Sequence, residues 1–469
     1  MRSTKIHKML KINTLRTFSG AVLGARTGLF WALAVFLAGC SPESAPENGG
    51  VACAPLPALE YSKNLKIGNS CGERVAEIRT VVGGDTLVKR FVLRGRGDAG
   101  GTLPKGLEGA TVLQVPLTRV VALSSAQVGF MGRLGLENAI VGVGEGKYIA
   151  DSALYERVQK GEVSEVGNGP TLSLEKLVDL KPDLVLNFAT GGAYDDYQRI
   201  EALGLPLMLT SEWQEEHPLS KAEWIKLFGM LFGMDSLANA VYEQSKAYYL
   251  ASFNKSGLEI ASPSARNDTL SSSNGGVAGV SPARRGSEQQ RGSEGEASPA
   301  KSLQDDTIPH PISHIPHSPC PRVLVGMSYG GVWYAPGGQS YTARLIRDAG
   351  GRYLWGSDSS RELRFSLEQV IALADSVDVW INPGMFATAR EILAEEPRVE
   401  RIRAFREKRV FQNDNRKGPG GGNDFYESAV AEPEKVLNDF VWAIGAFKVS
   451  EKADSAANSP RWYRNIFNF

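Results

Sequence analysis

Gly326-Met327-Ser328-Tyr329-Gly330 matches the G-x-S-x-G elbow on which serine hydrolases raise a nucleophile, and it follows a strand-like run, Arg322-Val-Leu-Val325. Two requirements of that chemistry are unmet. The next residues, Gly331-Val-Trp-Tyr-Ala-Pro-Gly-Gly, do not make the helix that should follow. All five histidines (His7, His217, His310, His314 and His317) also precede the serine, whereas that fold needs its base after it. His310, His314, His317 and Cys320 are soft-metal ligand types, but the run H-P-I-S-H-I-P-H-S-P-C is broken by prolines that prevent a shared helix face; it reads as a hinge. Gly418-Pro-Gly-Gly-Gly-Asn423 lacks the G-K-[ST] that would hold phosphates and reads as a loop. No catalytic residue, resident metal or cofactor is therefore expected.

Aromatic side chains offer a different chemistry. Tyr148, Phe188, Tyr194, Trp213, Tyr329, Trp333, Tyr334 and Trp355 fall at predicted strand ends or in neighbouring loops. Rings there present large rigid surfaces to a big, flat molecule. Tyr329, Trp333 and Tyr334 sit in a Gly-rich stretch that reads as a loop outside the core. With Phe188 and Tyr194 they are the expected walls of a pocket, and Tyr148 and Trp213 are further candidates.

The elements that must hold these rings alternate between strand and helix. Arg119-Val-Val-Ala-Leu123 is a buried strand candidate, Ser124 and Ser125 can cap the helix beginning near Ala126, and Ala139-Ile-Val-Gly-Val143 is the next strand. A helix at 173–180, a strand at 183–187, a helix near 194–203 and a strand at 205–209 follow. This alternation predicts a doubly wound α/β fold with a parallel sheet, and it restarts at Arg322. Before it, residues 66–93 alternate in polarity around a Gly-Gly-Asp turn and predict short antiparallel strands. Residues 219–252 carry helical periodicity broken at Gly229 and Gly233, as two consecutive helices would.

The two halves share a pattern: Ser173-Leu-Glu-Lys-Leu-Val-Asp-Leu before Asp183-Leu-Val-Leu-Asn187, and Ser366-Leu-Glu-Gln-Val-Ile-Ala-Leu before Asp378-Val-Trp-Ile-Asn382. The repeat predicts two lobes of like topology. Glu175 and Glu368 each stand two residues after a capping serine, in the first helical turn, where a carboxylate is favoured by the helix dipole. Leu174, Leu177 and Val178, and Leu367, Val370 and Ile371, are expected to face the cores and leave both carboxylates outward.

The 469 residues carry 52 basic and 52 acidic side chains with 42% hydrophobic residues, an ordinary globular composition. Residues 1–39 hold six basic residues and no acid, which leaves 46 against 52 in the remainder, a net −6. Nucleic-acid binding, which draws on clustered positive charge, is not expected. The basic start precedes the apolar run Gly28–Gly39, too short to span a bilayer and fit for export. Leu37-Ala38-Gly39-Cys40 resembles a bacterial lipobox, which makes Cys40 the expected lipidation site. Cys53 and Cys71 are near enough in sequence to pair in an oxidising compartment.

RVVALSS, LSLEKLVDLKPDLVLNF, EWQEEHPLSKAEWIKLFG, YGGVWYAPGGQSY and GGNDFYESAVAEPEKVLNDFVWAIG resemble the periplasmic substrate-binding proteins for ferric siderophores, haem and cobalamin, over most of residues 115–250 and 321–447. The resemblance implies two Rossmann-like lobes joined by one long helix, a class III periplasmic binding protein that closes little on its ligand. It implies delivery to an ABC permease with its ATPase, and glutamates at the positions of Glu175 and Glu368 docking on that permease.

The expected organisation is a signal peptide at 1–39, a tether at 40–60, a first lobe with its preceding hairpin at 61–235, and a connecting helix at 236–254. A disordered insertion at 255–319, a second lobe at 320–447 and a tail at 448–469 complete it. The protein is expected to be monomeric and lipid-anchored on the periplasmic side of a bacterial membrane. A chelatase or hydrolase built on two doubly wound lobes, and a surface-exposed capture or adhesion lipoprotein, are the alternatives.

Overall fold

The computed structural model describes residues 53–98, 100–254, 320–359, 362–445 and 459–468. The expected signal segment, Cys40, the three proline-flanked histidines and the 255–319 insertion lie outside them. In the first half, five short parallel strands lie in the order Ser164–Glu165, Ile140–Val143, Val120–Ala122, Leu184–Asn187 and Leu207–Leu209. Every residue of Val120–Ala122 and Leu184–Asn187 is buried, as central parallel strands covered on both faces must be. Ser124 caps the helix Ser125–Arg133, with the Gln127 side chain reaching back to its backbone N–H.

The second half repeats this plan. Arg352–Tyr353, Arg322–Val325, Val379–Ile381 and Val410–Gln412 form a parallel sheet, closed by the antiparallel strand Arg464–Asn465. The α/β class and its two lobes are as the alternation and the repeat predict. The closing strand comes from the stretch read as a tail. Asp439 accepts hydrogen bonds from the backbone N–H of Arg461, Trp462 and Tyr463 at 2.7 to 3.1 Å, and Trp462, Tyr463 and Ile466 are fully buried.

The long helix Asp235–Asn254 connects the two cores: Tyr242 packs in the first, and Tyr249 in the second, donating its hydroxyl to Asp348 Oδ2 at 2.6 Å. In front of the first lobe, Leu65–Ser70, Glu73–Val82 and Asp85–Gly95 form the expected antiparallel meander, turning at Gly83-Gly84, where both residues have positive φ. A fourth strand, Thr111–Val115, pairs parallel to the third. Cys53 and Cys71 form a disulfide at the edge of this sheet.

A hairpin and a third strand stand beside the second lobe. Met327–Tyr329, Val332–Pro336 and Glu362–Ser366 form an antiparallel sheet that turns at Gly330-Gly331. The supposed nucleophile elbow lies in the first of these strands, without a following helix, and the Ser328 hydroxyl is buried with no hydrogen-bond partner among the described residues. No base touches it.

Candidate ligand cleft

A cleft of about 660 Å³ opens where the carboxyl ends of the two parallel sheets face each other. That is where doubly wound sheets carry their ligands, because the loops leaving the strands there are free to vary. From the first lobe, Ser124 and Ser125 follow the strand Val120–Ala122, Glu145 and Tyr148 follow Ile140–Val143, Phe188 follows Leu184–Asn187, and Glu212 and Trp213 follow Leu207–Leu209. The second half contributes Asn382 and Asn413 at the ends of its own central strands, Tyr341 at a helix start, and Phe425 and Tyr426 from a short turn.

Two close approaches hold these halves together. The Gly-rich run at 418–423 lies against the backbone of residues 147–150, and at Gly422 a side chain would strike the carbonyl of Tyr148. Gly129, in the helix Ser125–Arg133, touches the carbonyl of Glu427, where no Cβ fits. Gly418, Gly420, Gly422 and Gly129 are therefore selected by close contact with backbone.

The rings predicted from sequence divide into two groups. Tyr148, Phe188 and Trp213 line the cleft and are partly exposed in it. Tyr194, Tyr329, Trp333 and Tyr334 do not. Tyr194 is 76% exposed beside Gly169, while Tyr329 packs against Phe386 and Tyr334 outside the cleft. Trp333 is 0% exposed: it packs on Trp380 and donates its indole N–H to the Val325 carbonyl at 3.0 Å. Trp355 stacks on Phe365 and belongs to the packing of the second lobe. Tyr341, Phe425 and Tyr426 were missed because they stand at a helix start and in a turn, not at a strand end.

Both repeat glutamates sit as their motif predicts, exposed in the first turns of Leu174–Asp179 and Leu367–Ile371. Ser173 and Ser366 accept from the backbone N–H of Lys176 and Gln369, each at 3.3 Å. Val178 departs from expectation and is exposed, since the short helix turns only Leu177 fully inward. Glu368 also meets Arg398 Nη1 at 2.8 Å.

Charge in the cleft is sparse. Glu145 is paired with Lys147 at 2.7 Å. Glu212 is buried, and that burial pushes its carboxyl above the usual range, against the pull of Lys221 and the Thr210 hydroxyl. Burial likewise lowers the Lys221 ammonium, which lies 5.0 Å from the centre of the Tyr341 ring. Among the described residues no cluster of three or more His, Cys, Asp or Glu side chains could hold a metal ion.

Beneath the cleft, Glu427 accepts from the backbone N–H of Ala150 at 2.7 Å and Asp151 at 2.8 Å, linking the second half of the chain to the first. Burial outweighs those two donors and pushes its carboxyl up to about 7 from 4.5. The folded protein then holds a proton there that the unfolded chain releases above 4.5, so this group's contribution is full at low pH and is lost as pH rises towards 7. The loss should reach about 3 kcal/mol, at roughly 1.4 kcal/mol per unit. Urea titrations from pH 4 to 8 should show the stability difference between wild type and Glu427→Gln changing across that window. A difference constant with pH would mean that Glu427 titrates as an ordinary carboxylate.

Residues 120–252 match the family model described as periplasmic binding protein. The matched segment runs from the central strand of the first sheet through nearly all of the long helix. An uncharacterized lipoprotein of Methanocaldococcus jannaschii is 19% identical over 367 residues, covering 76% of this chain and 72% of the relative. Among solved structures, a periplasmic binding protein from Veillonella parvula aligns with TM-score 0.46 and 14% identity, over 80% of this chain and 99% of that one. A periplasmic heme-binding protein from Pseudomonas aeruginosa aligns with TM-score 0.45 and 15% identity, over 70% and 92%.

Proposed function

We propose that the chain is the solute-binding lipoprotein of an ABC transporter, which captures an iron chelate, haem or cobalamin between its lobes and delivers it to an inner-membrane permease. The observation that carries this reading is the cleft itself: aromatic rings from both halves of the chain face one another across the carboxyl ends of two parallel sheets. Both walls come from one chain, so a monomer suffices. Cys40 supplies the lipid anchor on the periplasmic side. No helix among the described residues is long and apolar enough to cross a membrane.

The reading requires binding without turnover. Quenching of tryptophan fluorescence by cyanocobalamin, haemin and ferrichrome should reveal saturable binding of one of them, recovered unchanged after incubation. Phe188→Ala and Trp213→Ala should each weaken it by about 1–3 kcal/mol, the effect of removing a desolvated ring from a binding surface. Failure of all three to bind, or conversion of the bound molecule, would defeat the reading. A hydrolase on the same lobes is disfavoured by the buried hydroxyl of Ser328, which has no hydrogen-bond partner among the described residues.

A further inference from the structure

Glu212, Glu215 and Glu223 are all buried in the segment that leaves the last strand of the first sheet, yet they have different occupations. Glu215 accepts from the Ser62 hydroxyl at 2.5 Å, the Asn64 backbone N–H at 3.2 Å and the Trp224 indole at 3.1 Å. Glu223 accepts from the backbone N–H of Tyr61 and Ser62, both at 2.9 Å, and pairs with Lys226. These two carboxylates anchor the incoming chain. Glu212 lines the cleft, is only 2% exposed, and its Oε2 has no hydrogen-bond partner among the described residues. A buried acceptor left open is costly unless something arrives to fill it.

Lys221 lines the same cleft from the next helix, Pro218–Ala222, and among the described residues no carboxylate lies within ion-pair distance of its Nζ. The first lobe thus offers the ligand one open acceptor and one open donor, close enough for each to feel the other's charge. We propose that Glu212 and Lys221 together read a carboxamide of the ligand, its N–H donating to Glu212 Oε2 and its C=O accepting from Lys221 Nζ.

A ligand carboxylate would satisfy Lys221 but face Glu212 with like charge, and an ammonium would do the reverse; a neutral amide satisfies both. The other charged group in the cleft, Glu145, is already paired, and Asn168, Asn382 and Asn413 add amide partners from both halves. Such a site favours an amide-decorated macrocycle over a dicarboxylate of similar breadth. This inference rests on the reading that the cleft holds a solute.

The test compares cyanocobalamin, which carries peripheral carboxamides, with haemin, which carries carboxylates, by fluorescence titration of the intact protein. Wild type should prefer cyanocobalamin. Lys221→Met should weaken cyanocobalamin about tenfold, as loss of one charge-assisted hydrogen bond would. Glu212→Met should weaken it similarly while strengthening haemin, and Glu212→Gln, which keeps an acceptor and loses the charge, should retain cyanocobalamin and still gain haemin. A merely structural role for Glu212 would move both compounds in the same direction.

Preference of wild type for haemin, or parallel movement of both compounds in the two Glu212 variants, overturns the amide assignment and leaves solute binding standing. Absence of binding to cyanocobalamin, haemin and ferrichrome overturns the solute-binding reading, and the assignment with it.

Discussion

Replacing Trp333 by alanine should lower the unfolding free energy by about 3–5 kcal/mol, the range for deleting a buried tryptophan, and leave ligand affinity unchanged within about twofold. The indole is fully buried in the cluster that also holds Leu324, Met327, Val399 and Ile402, packs on Trp380, and has its N–H satisfied by a backbone carbonyl. Truncation opens a cavity between the small antiparallel sheet and the second-lobe core and leaves the Val325 carbonyl without its donor. Urea unfolding with parallel fluorescence titration separates the two outcomes. A stable variant that has lost affinity would put the ring back at the ligand.

Trp333 shows how the sequence misleads. The four glycines around Val332-Trp-Tyr-Ala335 suggest a loop, yet those residues alternate in burial with the period of a strand: exposed, buried, exposed, buried. Glycines at 330 and 331 belong to the hairpin turn, with φ of +58° and +83°. Weighing the alternation above the composition would have put Trp333 inside and Tyr334 outside. The lobes were legible for a complementary reason: runs such as Leu-Val-Leu-Asn and Val-Trp-Ile are buried on both faces, and apolar continuity marks a parallel strand whatever its context. The two-residue strand Arg464–Asn465 is too short to leave a pattern.

The cleft was legible where it follows strand ends, which gave Tyr148, Phe188 and Trp213, and illegible where it depends on satisfaction of polar groups. In Glu212-Trp-Gln-Glu-Glu-His-Pro-Leu-Ser-Lys221 every charge reads as a solvated surface residue. Burial, and the backbone N–H groups of residues 60–64 that reach Glu215 and Glu223 but not Glu212, exist only once the distant segment has folded over. His217 is a similar case: its ring accepts from the Leu219 N–H at 3.0 Å and burial lowers its pKa to about 3, so the histidine in this segment is a neutral helix cap.

Transport should fall to background when Glu175→Arg and Glu368→Arg are combined, with ligand affinity unchanged. Each acid stands exposed in the first turn of a capped helix, at corresponding positions of the two lobes. Two matched carboxylates fit a partner with two equivalent basic pockets, as a two-fold permease would present. Helix-start stabilisation alone would account for about 0.3–1 kcal/mol per acid and would leave transport intact. The two positions differ locally: among the described residues Glu175 makes no ion pair, whereas Glu368 shares Arg398 with Glu396. Reversal at 368 therefore also sets two guanidinium groups against each other, and the single variant Glu175→Arg gives the cleaner measurement. Uptake of labelled ligand by cells making normal amounts of each protein should fall several-fold for Glu175→Arg and vanish for the pair, while thermal melts of Glu175→Arg stay at the wild-type value. Normal uptake by the double variant would reduce both glutamates to helix caps and move the permease-facing surface elsewhere on the lobes.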